Sequence, residues 1–137
     1  MKTHNFGLCL LLLSACGTKP DLDPTLSNQQ PIADAGSNGS GSTSAMVKLD
    51  GRNSYDPEGE SLTYHWQFHH VPANSMYQDA EMNAFSQNDS PISTSSFLPD
   101  VEGTFIVELT VKDEQGIESN VDSVVYEIKG GLLPIAD

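Results

Sequence analysis

Cysteine is nearly missing from this chain, with only Cys9 and Cys16 in 137 residues. Basic residues are scarce too: six Lys and Arg face nineteen Asp and Glu, for a net charge of −13. That balance excludes nucleic acid as a partner and argues against electrostatic adsorption to anionic lipid, since both need basic patches. It suits a soluble body, cation binding or a highly ionic medium. The apolar run at residues 6–13 is far shorter than the roughly 20 residues that cross a bilayer. Catalytic equipment is thin as well. His65 and His69, four residues apart on an extended strand, would stand about 13 Å apart, too far to share one metal or one proton relay. Adjacent His69 and His70 point to opposite faces, and no Ser or Cys lies in a context that suggests an activated nucleophile. The expectation is a protein that is not an enzyme.

What is present begins with "MKTHNFGLCLLLLSAC". A basic Lys2, a short apolar stretch and small residues before Cys16 are the marks of a secretory signal. Leu13-Ser14-Ala15-Cys16 resembles the lipobox of bacterial lipoproteins, in which the cysteine becomes the acylated N-terminus. Residues 1–15 are then a signal peptide, and Cys16 attaches the protein to a membrane through its lipid. Gly17 in place of an aspartate implies the outer membrane or cell surface. Cys16 would be the sole cysteine of the mature chain, which rules out an intramolecular disulfide. Residues 16–29 contain two prolines and no hydrophobic period, so they read as a flexible tether.

Beyond the tether the signals are those of β-structure. "MVKLDG" puts Val47 and Leu49 on one face, and "LTYHWQFHH" does the same with Tyr64, Trp66 and Phe68. "GTFIVELTVKD" sets Phe105, Val107, Leu109 and Val111 against Glu108, Thr110 and Lys112. Alternation of this kind marks strands with one face on a core and the other in water. "VDSVVYEI" predicts a closing strand and "ISTSSFLPD" a further one. The Gly/Ser-rich residues 36–44 read as a mobile loop. Turn residues gather in "DPEGES" and "DEQG". The stretch "RNSYDPEGE" concentrates Asn53, Ser54, Asp56, Glu58 and Glu60, oxygen donors of the type that hard cations take. The same residues also read as plain turn chemistry, with Asp56 capping the turn before Pro57.

Three blocks, "PIADAG", "VKLDGRNSYDPEGESLTYHWQF" and "GTFIVELTVKDEQG", together resemble a PKD domain, the immunoglobulin-like β-sandwich of many bacterial surface proteins. The likeness covers residues 30–129 and departs from the family's Trp-Asp-Phe-Gly-Asp-Gly at Trp66-Gln67-Phe68-His69-His70. It implies an all-β, antiparallel sandwich of about seven strands. In calcium-binding relatives the ion lies at positions that match Asp34, Ser54, Asp56 and Asp113, so calcium is the expected metal and no other cofactor is required. The implied function is a non-catalytic spacer or a protein- or polysaccharide-binding module. The alternatives are an accessory component of an extracellular hydrolase or adhesion system, or a remnant of a tandem array. Candidate ligand contacts in the polar middle stretch are Met76, Tyr77, Met82 and Phe85. The words Pro-Ile-Ala-Asp at residues 31–34 recur at 134–137, so residues 130–137 read as a disordered tail resembling the start of a second repeat.

Overall fold

The fold was obtained as a computed structural model that describes residues 27–78 and 89–131. Residues 1–26, which include Cys16, lie outside the described residues, as do Met82, Phe85 and residues 132–137. Six strands follow in order: β1 (Gly39–Ser42), β2 (Val47–Asp50), β3 (Thr63–His70), β4 (Thr94–Phe97), β5 (Gly103–Lys112) and β6 (Asp122–Lys129). Among the described residues, one 3-10 turn, Met76–Gln78, lies between β3 and β4.

The alternation in β5 is realised residue by residue. Phe105, Val107, Leu109 and Val111 are 0 % exposed, while the intervening side chains are half-buried. β5 runs antiparallel to β3 on one side and β6 on the other, placing Trp66 opposite Leu109, Phe68 opposite Val107, and Val124 opposite the same Val107. The larger sheet has the order β1-β6-β5-β3, and the smaller is β2-β4. Val47, Leu49 and Phe97 of the small sheet face the large one and close the core. Phe97 meets Phe68 edge-on at 5.1 Å between ring centres and Phe105 at 5.4 Å. Each such pair adds about 0.5–1.5 kcal/mol beyond the apolar area it buries.

Two expectations need correction. Residues 39–42 form a strand rather than a loop, and it pairs parallel to β6, so the sandwich is not antiparallel throughout. Gly39 lies against the Tyr126 ring, and Gly41 is wedged between Ile128 and Val47, where a Cβ would come within 3.1 and 3.3 Å. Only residues without side chains let the backbone reach the β6 ladder past these neighbours. The PIAD segment contributes one antiparallel bridge, with Ile32 and Tyr55 exchanging N–H···O bonds of 2.8 and 3.0 Å.

Gly41→Val should overpack the β1–β6 contact. Urea unfolding should show a loss of about 1–3 kcal/mol, the usual cost of extra methyl groups in a filled site; a neutral result would mean that β1 contributes nothing to stability.

Candidate metal centre

Two turns at one end of the sandwich have the same construction. In Asp56-Pro57-Glu58-Gly59-Glu60, Asp56 Oδ1 accepts the N–H groups of Glu58 at 2.8 Å and Glu60 at 3.1 Å, and the Gly59 N–H donates to the Asp56 carbonyl. In Asp113-Glu114-Gln115-Gly116-Ile117, Asp113 Oδ1 accepts Gln115 N–H at 2.9 Å and Ile117 N–H at 2.8 Å, and Gly116 N–H donates to the Asp113 carbonyl. Gly59 and Gly116 have φ of 82° and 90°, in the left-handed region that favours glycine. The turn chemistry thus consumes one oxygen of each aspartate and leaves the other outside the turn.

The sheet brings these turns together, because Asp113 directly follows β5 and β3 begins just after the Asp56 turn. Ser61 N–H donates to Glu114 Oε1 at 3.2 Å, and Gln115 Nε2 donates to Glu60 Oε1 at 2.6 Å, cross-linking the loops. Carboxylate oxygens of Asp56, Glu60 and Asp113 consequently lie within 4.8 Å of one another. Asp56 and Asp113 are only 6 % and 5 % exposed. Asp56 Oδ2 and Glu60 Oε2 are buried with no hydrogen-bond partner among the described residues. A buried unpaired carboxylate oxygen is costly, and the three carboxylates side by side repel one another. A hard cation removes both penalties, and an all-oxygen donor set with no histidine or cysteine is the kind such an ion takes. The residues present therefore fit a divalent cation.

The N-terminal segment leads into this site. Asn28 Nδ2 donates to Asp113 Oδ2 at 2.6 Å, and Asn28 Oδ1 is a further buried oxygen without a partner. Gln29 donates to Glu58 through both its backbone N–H and its Nε2, and Gln30 Nε2 reaches the Glu118 carbonyl. Residues assigned to the end of the tether are thus bonded to the domain.

Of the metal positions implied by resemblance, Asp56 and Asp113 meet here. Asp34 is not among the three converging carboxylates; its Oδ1 accepts the Gly36 N–H at 2.8 Å. The Ser54 hydroxyl accepts the Asp34 N–H at 2.9 Å, which ties the PIAD segment to the turn. Glu60 was counted among the oxygen donors of its turn but not selected for the site. Its signal was a carboxylate four residues after a turn-forming aspartate, where the chain has come back to the Asp56 carboxyl.

Elsewhere, His69 Nδ1 lies 2.9 Å from Glu108 Oε1, and His65 Nδ1 lies 4.0 Å from Asp89. Of the candidate ligand contacts, Met76 is exposed, whereas Tyr77 packs on the core 4.8 Å from the Phe68 ring and donates its hydroxyl to the Leu98 carbonyl.

No family model matches the sequence, and no curated protein matches it. Among solved structures, a nucleoside hydrolase-related hypothetical protein from Saccharophagus degradans, associated with carbohydrate metabolism, matches 78 % of the chain at 19 % identity and a TM-score of 0.55. The chain spans only 27 % of the length of that protein. The PKD domain of KIAA 1837 matches 81 % of this chain and 98 % of its own length at 23 % identity, with a TM-score of 0.54. The PKD domain of human KIAA0319 matches 88 % of this chain and 99 % of its own at 15 % identity, with a TM-score of 0.57. These likenesses show the fold, which is an immunoglobulin-like β-sandwich of the PKD type.

Burial pushes the Asp113 carboxyl up, but the N–H groups of Ile117, Gln115 and Gly116 and the Asn28 carboxamide outweigh it and hold the group below its ordinary 3.8. Asp100 is likewise held down, against its burial, by the Ser75 hydroxyl and the Met76 N–H. A lowered folded-state value means that the stability is present above about pH 4 and is lost as pH falls through the lowered values. Denaturant midpoints should therefore fall on acidification from about pH 5 to about pH 2, and Asp100→Asn should flatten that fall; an unchanged pH profile would contradict the assignment.

Proposed function

We propose that this protein is a non-catalytic surface spacer, a single PKD-type sandwich carried on acyl chains at Cys16 of an outer-membrane lipoprotein and stiffened by calcium. The observation that carries the reading is the pair of buried, unpartnered oxygens, Asp56 Oδ2 and Glu60 Oε2, beside Asp113. They lie where residues 28–30 join the domain, so an ion held there fixes the angle between tether and sandwich. Asp56, Glu60 and Asp113 would supply the charged ligands, the Asn28 carboxamide oxygen would add a neutral one, and water would fill the remaining positions.

Calcium fits better than magnesium because it tolerates six to eight oxygens in irregular geometry, whereas magnesium demands a near-ideal octahedron. With so few protein ligands the affinity belongs with that of extracellular modules, on the order of 10⁻⁴ to 10⁻³ M. The PKD domains among the structural neighbours support a modular role.

Calcium at about ten times its Kd should stabilise the domain by about 1.4 kcal/mol, raising the melting temperature by several degrees, with magnesium weaker. Glu60→Gln keeps the acceptor for Gln115 and removes one charge from the cluster. It should leave the calcium-free protein at least as stable and abolish the calcium response. A melting curve unmoved by calcium, or a response that survives Glu60→Gln, would overturn the site.

The lipid anchor is tested separately. Cys16→Ser should leave the precursor unprocessed and shift the protein out of the detergent-soluble membrane fraction; normal fractionation of that variant would refute acylation.

A further inference from the structure

The outer face of the small sheet differs from the rest of this acidic protein. Lys48 and Asp50 on β2 stand opposite Ser96 and Thr94 on β4, and all four are exposed. Met46 precedes this row and Arg52 follows it, both exposed, and together these residues line a shallow groove of about 490 Å³. Four of the chain's six basic residues are described, and two of them stand in this groove. Lys112, by contrast, is bound to Asp89 and Glu118 on the other sheet.

The polar groups have distinct tasks. Lys48 Nζ forms no ion pair with any described residue. Arg52 binds Asp50 side-on, Nε to Oδ1 at 2.8 Å and Nη2 to Oδ2 at 2.6 Å, so the outer N–H groups of its fork remain available. Asp50 is engaged by Arg52, whose backbone N–H, Nε and Nη2 occupy both carboxylate oxygens, and Thr94 and Ser96 stand beside it as hydroxyl donors and acceptors. No aromatic ring lines the groove on which a sugar ring could lie.

We propose that this groove binds an acidic polysaccharide, a uronate-bearing chain, with a sugar carboxylate on Lys48 and sugar hydroxyls on Thr94 and Ser96. Charge selects the site, since the net −13 repels an anionic chain elsewhere on the molecule. The single unpaired ammonium selects the ligand: Arg52 and Asp50 neutralise each other, so the groove suits one carboxylate flanked by hydroxyls, as a uronate presents, rather than the dense carboxylates of a polyanion without hydroxyls. A neutral glycan lacks both the ionic contact and a stacking platform. A second copy of the chain would bring its own excess of acids. The groove is built from β2 and β4 and shares no residue with the cation site, so this binding does not depend on calcium.

The test is a titration of the full chain with oligogalacturonate in low salt, in the presence of a chelator, so that calcium cannot bridge protein and uronate. Saturable binding that weakens with added salt is expected, with chemical-shift changes at Thr94 and Ser96. Lys48→Glu should weaken it by at least about tenfold, equivalent to about 1.4 kcal/mol, while Lys48→Arg retains it. Neutral dextran and polyglutamate should not bind. Absence of saturable binding, an unaffected Lys48→Glu variant of unchanged melting temperature, or polyglutamate binding as tightly would overturn the proposal. The calcium response of Lys48→Glu, read from the same melts, stays normal in every case if the metal reading holds, so failure of one is separable from failure of the other.

Discussion

Everything in this molecule hangs on the fully buried row of Phe105, Val107, Leu109 and Val111 along β5. Period-two burial forces the intervening residues outward, fixes β3 and β6 on either side, and presents one apolar surface to the small sheet. A shift of one residue would put four large apolar groups in water and Glu108 in the core. The register is therefore set by solvation alone, and with it the place where β5 stops. That place is Lys112, and the next residue, Asp113, is carried to the end of the sandwich beside the Asp56 turn.

The acidic end is a consequence of two turns with one design. An aspartate that closes its own turn through Oδ1 has a second oxygen outside the turn, and here both turns sit at the same end of the sandwich. Cross-links through Ser61 to Glu114 and Gln115 to Glu60 hold them in contact. Charge repulsion between the spare oxygens is the cost of this arrangement, and a divalent cation is the group that turns it into attraction. Because Asn28 and Gln29 are bonded to the same two loops, whatever stiffens the loops also orients the entering chain.

Charge is therefore distributed rather than merely abundant. Carboxylates cluster at the end where the N-terminal segment arrives, and exposed cations gather on the outer face of β2 and β4. An acidic body of this kind leaves one small face from which an anionic ligand is not repelled. The aromatic cluster of Phe68, Phe97, Phe105 and Tyr77 joins the two sheets.

The strands β2, β3, β5 and β6 were legible in the sequence because each writes its solvation pattern in alternating residues, and both turns were legible through their Asp and Gly. β1 was not, since Gly39–Ser42 has no pattern to read: the open edge of β6 and the room left beside Tyr126 and Ile128 decide its conformation. The cluster of converging carboxylates was half legible. Asp56 and Asp113 announce themselves as turn residues, but Asn28 lay in a stretch without period, and Asp34 and Ser54 are engaged with each other's neighbourhood rather than with the converging carboxylates. Sequence alone determined the sandwich, its inner faces and the two aspartate turns, because burial and turn closure are local properties of residue order. Only the tertiary structure decided which carboxylates meet and which segment joins them, because those contacts depend on where β5 and β3 end relative to each other in space.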